Sequence, residues 1–520
     1  MDDETDDRSK TMTAHDPLLA SGQAGDTRPH AVVIGAGFGG LAAAVRLGAR
    51  GYRVTIVEKL DEPGGRASQF RQDGFIFDAG PTIITAPFIF EELWTLCGRK
   101  LSDDITLVPL DPFYTVRFDD GEEFRVNADE AFMEAEVARF SPDDVAGYRR
   151  YLAESERCFQ TGFLGMIDRS YPSLLSMAAA LPGLVMRRAE RSIHKLVSKF
   201  IKDEKLQQAL SFHPLFIGGN PMRSSAVLSL ISYLEREYGV HYAIGGTHAL
   251  VTGIAGLIAG QGGIIRTGVE VAEITVEGRR ATGVRLASGE LIPASIVVSN
   301  ADAGWTYTKL LANHPRKRWT DAKVARARYS MSLFVWYFGV DRRYEDVSHH
   351  TVMLGPRYEG LLQDIFDTKR LAEDFSLYLY RPTASDPTVA PEGCDTFYVL
   401  APVPNLDGDI DWSTAAEPYR KKIQAYLEAT LLPGLGDHVV SSKMMTPLDF
   451  RDRLLSVKGA AFGIEPVITQ LAWFRPHNKS EELENLYMVG AGTHPGAGLP
   501  GVVSSAKILD KVVPHASAFA

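Results

Sequence analysis

The run Ala31-Val32-Val33-Ile34 passes directly into Gly35-Ala36-Gly37-Phe38-Gly39-Gly40 and then into Leu41-Ala42-Ala43-Ala44-Val45-Arg46-Leu47. An apolar strand, a glycine turn and an apolar helix in that order dictate a βα unit of the dinucleotide-binding kind. Each glycine has its own duty: Gly35 makes the tight turn, Gly37 admits the backbone to a pyrophosphate, and Gly40 lets helix and strand pack closely, with the phosphate charge at the helix N-terminus. A second strand, Arg53-Val54-Thr55-Ile56-Val57, ends in Glu58, eighteen residues after Gly40. A carboxylate there accepts hydrogen bonds from both hydroxyls of an adenosine ribose and repels a 2′-phosphate, which disfavours NADP.

Two further segments lengthen this site. Pro63-Gly64-Gly65-Arg66 and Phe77-Asp78-Ala79-Gly80-Pro81-Thr82 follow closely, and a second glycine cluster, Gly490-Ala491-Gly492-Thr493-His494-Pro495-Gly496-Ala497-Gly498, lies near the other end of the chain. Backbone amides and a guanidinium at the first segment suit a long, doubly negative ligand. The C-terminal cluster reads as the other half of one cofactor site. A simple NAD enzyme does not need these additions, whereas FAD, longer and with an isoalloxazine buried deep inside, does. The expected FAD-binding set is Gly35, Gly37, Phe38, Gly39, Gly40, Glu58, Lys59, Gly65, Arg66, Gly80, Pro81 and Thr82, with Val271 as a backbone contact to the adenine. Gly490, Ala491, Gly501 and Val502 are expected to bring backbone against the flavin ring. No cysteine lies near residues 490–502, so the flavin is expected to be noncovalent.

At 520 residues the chain exceeds the size at which single cores stop growing. Its middle shows where the cofactor domain resumes. Tyr242-Ala243-Ile244-Gly245-Gly246-Thr247 leads into an apolar helix to about Ala259, then alternating Val269, Val271, Ile274 and Val276, a hairpin-like stretch over 281–291, and the buried-looking strand Ser295-Ile296-Val297-Val298-Ser299. The fold class expected is α/β, a Rossmann-like FAD-binding domain interleaved with a substrate-binding α+β domain. Residues 30–115, 241–305 and 456–520 are assigned to the FAD domain. Residues 116–240 and 306–455 are assigned to the substrate domain, and 1–29, with seven acidic and three basic residues, to a flexible polar tail.

A net charge of −10 argues against nucleic acid as a partner. Three scattered cysteines, Cys97, Cys158 and Cys394, offer neither a disulfide framework nor a zinc site. No metal is expected. No uninterrupted apolar run reaches 18 residues, so no membrane span is expected. Residues 174–186 are nonetheless almost free of polar groups. Beyond them Ile193, Leu196, Val197, Phe200 and Ile201 share one helical face opposite Arg191, Lys195, Lys199 and Lys202. A core-packing helix and an interfacial helix among anionic head groups both fit that pattern.

From about residue 30 to 510 the sequence resembles the bacterial-type phytoene desaturases, FAD-dependent carotenoid dehydrogenases of the amine-oxidase-like, two-dinucleotide-binding-domain superfamily. Besides the glycine segments, the resemblance rests on Ser211-Phe212-His213-Pro214-Leu215-Phe216-Ile217-Gly218-Gly219-Asn220-Pro221, Asp386-Pro387-Thr388-Val389-Ala390-Pro391-Glu392-Gly393, Ala472-Trp473-Phe474-Arg475-Pro476-His477-Asn478 and residues 486–502. It implies successive desaturation of phytoene and partly desaturated carotenoids, to neurosporene or lycopene, with a quinone or dioxygen as electron acceptor. It also implies peripheral attachment to the cytoplasmic side of a membrane, which favours the interfacial reading of 174–202. Sibling carotenoid desaturases, ketolases and retinol saturases share the pattern. A flavin-free isoprenoid escort protein is disfavoured by the intact phosphate turn and Glu58.

Desaturating a CH2–CH2 unit requires hydride departure to the flavin and proton loss from the neighbouring carbon. The protein must hold the bond in place, exclude water and provide a base. His213, Glu235, Arg475, His477 and His494 are the candidate catalytic residues, and residue type does not choose among them.

Overall fold

The computed structural model describes residues 26–178 and 180–519; most of the tail expected over 1–29 lies outside them. Two sheets organise the chain. The first has five strands in the order Leu486–Met488, Ile296–Ser299, His30–Ile34, Arg53–Val57 and Ile264–Arg266, all paired in parallel. Four separate sequence regions, from His30–Val57 to Leu486–Met488, thus build one sheet. The helix Phe38–Ala49 is buried from Phe38 through Leu47. It packs on the sheet and also under the helices His248–Gly260 and Leu499–Lys507. A helix covered on several sides needs no polar face, which accounts for its Ala- and Leu-rich sequence. Arg46, 1% exposed on that helix, is paired with Glu92 at 3.1 Å and Asp510 at 2.6 Å, as a buried cation must be.

The hairpin-like stretch forms an antiparallel sheet of Val271–Glu277, Arg280–Leu286 and Leu291–Pro293. The chain then enters the parallel sheet through Ile296–Ser299, all four residues buried.

The second sheet has seven strands, ordered Val439–Met445, Ser332–Val340, Asp395–Val403, Leu377–Tyr380, His350–Met353, Tyr114–Arg117 and Glu123–Val126. Ser332–Val340 is buried along its whole length, so it is apolar on both faces. Its period of two splits the load. Phe334, Trp336 and Phe338 pack toward the helix Trp412–Thr430, with Trp336 and Phe338 stacked at 4.2 Å between ring centroids. Leu333, Val335 and Tyr337 face a large internal cavity.

Residues 174–202 do not form the single interfacial unit expected from sequence. The short helices Leu174–Ala178 and Leu181–Met186 contain no buried residue, and Leu175 is 82% exposed. The following segment turns inward instead. Only Ile193–Val197 is helical, capped by the Ser192 hydroxyl, and Ile193, Leu196, Val197 and Ile201 are buried. The amides of Lys202 and Asp203 donate to the Asp144 carboxylate at 2.9 Å each, which ends the segment against the protein. Its apolar face has found a protein partner; Lys195, Lys199 and Lys202 remain exposed. Among the described residues no helix is long and apolar enough to cross a membrane.

Candidate active site

Gly35 leaves the first strand with φ +91°, a conformation open to glycine, and its amide donates to Val57 O at 2.8 Å. The next turn docks on it, Gly64 N donating to Ala36 O at 2.9 Å. A Cβ on Gly40 would collide with the Gly35 carbonyl oxygen and sit 3.2 Å from Asn300 Cβ, so helix and turn approach as closely as glycine allows. A Cβ on Gly39 would lie 2.9 Å from Gly490 N. The two glycine clusters, from opposite ends of the chain, therefore touch, with the Asn300 side chain beside both. Asn300 was not singled out in the sequence; a lone asparagine at a strand end carries no pattern to find it by.

Glu58 is buried at the end of its strand, Oε2 accepting from Ala36 N at 2.6 Å and Oε1 from Leu60 N at 2.8 Å. It ties the second strand to the first glycine turn. Arg66 donates through Nη2 to Ser456 Oγ, while its buried Nε has no partner in the protein. Burial pushes the Arg66 pKa down, and it pushes the Asp302 carboxyl up despite the nearby Arg66 charge. Asp302 also caps the short helix Ala303–Trp305, accepting from Gly304 N at 2.8 Å.

A cavity of about 610 Å³ runs from this turn into the protein. Gly35, Gly37, Phe38, Glu58, Lys59, Gly65 and Arg66 line its polar end, and Val271 borders the same end. Gly80, Pro81 and Thr82 line it further on, opposite Ala491, Gly501 and Val502. Gly39, Gly40 and Gly490 do not line it; they form the close-packed backing just described. The remaining length is apolar, walled by Phe163, Met177, Leu184, Val227 and Leu234 on one side and by Val335 and Leu400 of the seven-stranded sheet on the other. Met177 and Leu184 belong to the apolar run 174–186 marked in the sequence; the other wall residues carry no sequence signal, because they come from separate elements with no shared spacing.

The C-terminal loop is held from behind. Ser505 Oγ accepts from Gly490 N at 2.8 Å, and Asn478 Nδ2 donates to His494 O at 2.8 Å. The helix Leu499–Lys507 starts at this loop, so its positive end faces the cavity.

The five candidate catalytic residues separate by position. Arg475, 1% exposed, donates to Ile464 O at 2.7 Å and Ala491 O at 3.3 Å; burial pushes its pKa down to about 10. It braces the loop and does not line the cavity. His477 is hydrogen-bonded to Trp473 O at 3.0 Å and stands 3.4 Å from Glu481, again off the cavity, with its pKa lowered by burial. His213 sits one layer behind the wall, stacked on Phe212 and 3.0 Å from the Tyr114 hydroxyl. Glu235 and His494 line the cavity. His494 Nε2 donates to Met166 O at 3.0 Å, and burial pushes the ring down to about 4, so it is neutral. Glu235 Oε2 accepts from Tyr114 Oη at 2.8 Å, and Oε1 has no partner in the protein.

The arrangement fits FAD: a glycine cradle that a Cβ would fill, an unpartnered Arg66 Nε at the polar end, and a second glycine loop with a helix N-terminus farther in. Residues 38–508 match the family of flavin-containing amine oxidoreductases. The chain is 54% identical over 491 residues to a neurosporene-forming phytoene desaturase of Cereibacter sphaeroides, covering 94% of this chain and 95% of that protein. It is 48% identical to a lycopene-forming phytoene desaturase of Pseudescherichia vulneris, covering 92% and 97%. Among solved structures, cyclohexylamine oxidase from Brevibacterium oxydans matches with a TM-score of 0.57 over 95% of this chain and 99% of that one, at 15% identity. That last likeness is one of fold.

Proposed function

This chain belongs to the flavin-containing amine oxidoreductase family, is an FAD-dependent oxidoreductase, and, we propose, desaturates phytoene and its partly desaturated products. The observation that carries the reading is the joining, in one cavity, of a glycine-built nucleotide end to an apolar passage that suits a hydrocarbon chain. The 54% identity to a phytoene desaturase over almost all of both chains supports the same substrate. Two relatives, 54% and 51% identical, are neurosporene-forming phytoene desaturases, which favours neurosporene over lycopene as the end product.

When bound, FAD supplies a hydride acceptor. The residues that would hold it noncovalently are the 35–40 turn, Glu58 at the ribose, Arg66 at the pyrophosphate, and the 80–82 and 490–502 segments around the ring. The positive end of helix Leu499–Lys507 favours negative charge beside it. The apolar wall positions the hydrocarbon by burial, at roughly 0.8 kcal/mol per CH2 removed from water, and excludes water from the reacting bond. In this reading residues 30–115, 241–305 and 456–520 serve the cofactor, while 116–240 and 306–455 serve the substrate.

A water-insoluble substrate needs a lipid-side entrance. The exposed helices over 174–186 contribute Met177 and Leu184 to the cavity wall, and the first of them packs against the turn Ala472–Phe474, near which Phe474 and Ile468 are also exposed. This patch is the proposed contact with the cytoplasmic face of a membrane, with a quinone or dioxygen taking the electrons. Incubating the protein with FAD and phytoene in liposomes and analysing the products tests substrate, reaction and step count together. An absence of products with extended conjugation would refute the reading.

A further inference from the structure

Four carboxylates line the cavity among the described residues. Three of them, Glu58, Glu270 and Asp302, stand at the nucleotide end, beside Lys59 and Arg66. The fourth, Glu235, is alone in the apolar part. It lies on the helix Leu230–Tyr238, whose Leu230, Ile231 and Leu234 line the cavity with it. The chain continues directly into His241, which exchanges backbone hydrogen bonds with Ile84, so this helix docks beside the 80–85 segment.

Glu235 is 2% exposed, and a carboxylate so placed is costly unless hydrogen-bonded. One oxygen is satisfied. Tyr114, whose hydroxyl burial holds well above its ordinary pKa, remains a donor to Oε2 at 2.8 Å. That direction leaves His213 Nε2–H to donate to the tyrosine oxygen at 3.0 Å, so a chain His213 to Tyr114 to Glu235 fixes the carboxylate from behind. Oε1 is left with no partner in the protein. His494, the other cavity-lining candidate, also has an unpartnered atom, Nδ1, but its ring is neutral and brings no negative charge to the site. A fixed carboxylate both accepts a proton and stabilises the positive charge that develops on the polyene.

Resting on the desaturation reading, we propose that Glu235 is the catalytic base, with Tyr114 and His213 as positioning residues. With FAD bound, one C–H bond of the CH2–CH2 unit would break with its hydrogen departing as hydride, both electrons of the bond going with it to the acceptor. The C–H bond on the neighbouring carbon breaks, its electron pair becomes the new C=C bond, and its proton passes to Glu235. The hydride equivalent and that proton together reduce a two-electron acceptor, a quinone or dioxygen, which regenerates the carboxylate.

The test is anaerobic mixing of FAD-loaded protein with phytoene liposomes, following flavin absorbance at about 450 nm. Wild type should bleach. Glu235→Gln, which keeps the side-chain volume and an acceptor for Tyr114, should bleach roughly 100-fold more slowly or worse. Its flavin content, melting temperature and rate of bleaching by dithionite should match wild type. Glu235→Asp should recover part of the rate, and acetate or formate added to Glu235→Ala should restore bleaching in proportion to its concentration. Tyr114→Phe, which leaves the carboxylate in place, should lose less than Glu235→Gln. A Glu235→Gln rate within threefold of wild type would overturn the proposal alone, and so would loss of flavin or folding that accounts for the slower rate. A wild type that phytoene does not bleach would overturn the desaturation reading as well.

Discussion

Two chemically identical substitutions should have opposite effects, and the difference isolates how the nucleotide turn is built. Replacing glycine by alanine inside a helix gains about 1 kcal/mol of helix propensity. Gly256 lies on the exposed side of helix His248–Gly260, and an added Cβ meets nothing within 4 Å. Gly256→Ala should therefore stabilise by up to that amount. Gly40 is also helical, buried in the first turn of Phe38–Ala49, yet its Cβ would overlap the Gly35 carbonyl oxygen and crowd Asn300 Cβ at 3.2 Å. A backbone oxygen cannot rotate aside, so the helix must lift off the strand, at the upper end of overpacking costs, about 3 kcal/mol. The net for Gly40→Ala is a loss of about 2 kcal/mol, accompanied by displacement of the turn that cradles the phosphates. Thermal unfolding of the FAD-free protein reads the stability, and the ratio of flavin to protein absorbance after gel filtration reads the cradle. Equal melting temperatures and equal flavin retention in the two variants would refute the close-approach argument.

Glu58→Arg should strip FAD in the same gel-filtration assay, costing on the order of 2 kcal/mol or more from lost charged hydrogen bonds, since the carboxylate also ties Ala36 N and Leu60 N; full retention would contradict its role. Leu175→Asp with Val185→Asp should abolish co-sedimentation with anionic liposomes without moving the melting temperature, because both side chains are exposed. Lys195, Lys199 and Lys202 to Glu should weaken liposome binding by roughly 1 kcal/mol per charge, more at low salt. Stability should fall with acid: His494 and His349 are pushed by burial to about 4 and about 3. Unfolded histidines bind protons near pH 6.5, so below that pH the unfolded state binds more protons and is favoured. His494→Gln should flatten the slope between about pH 6.5 and 4 by up to about 1.4 kcal/mol per pH unit. Asp78 acts in the opposite sense, its carboxyl raised by burial to about 6, so Asp78→Asn should steepen the same slope.

The nucleotide half of the site was legible because its function is local: a strand, three spaced glycines, a helix and Glu58 lie within thirty residues, and backbone geometry enforces each. That Gly39 would meet Gly490 was legible only as a likeness between distant glycine clusters. The substrate passage was not legible. Val335 and Leu400 sit on neighbouring strands, and Val335's strand, Ser332–Val340, is apolar on both faces, so no alternation marks which side faces a cavity. The apolar face of residues 193–201 misled because amphipathicity fixes a direction and not the medium it faces. Among the candidate bases, residue type was silent, and burial and partnering separate Glu235 from Arg475, which merely braces carbonyls.

The proposed desaturation requires that hydride pass from a carotenoid precursor directly to a flavin held between the two glycine clusters. Anaerobic stopped-flow mixing of the FAD-loaded protein with phytoene in liposomes, recorded across the flavin and polyene absorbance bands without any nicotinamide, tests it most directly. Absorbance near 450 nm, about the usual position for an oxidised flavin, should fall as new conjugated-polyene absorbance rises, and a quinone or air should restore the flavin and extend the conjugation. Flavin bleaching with no polyene absorbance, or a strict requirement for NAD or NADP, would contradict it.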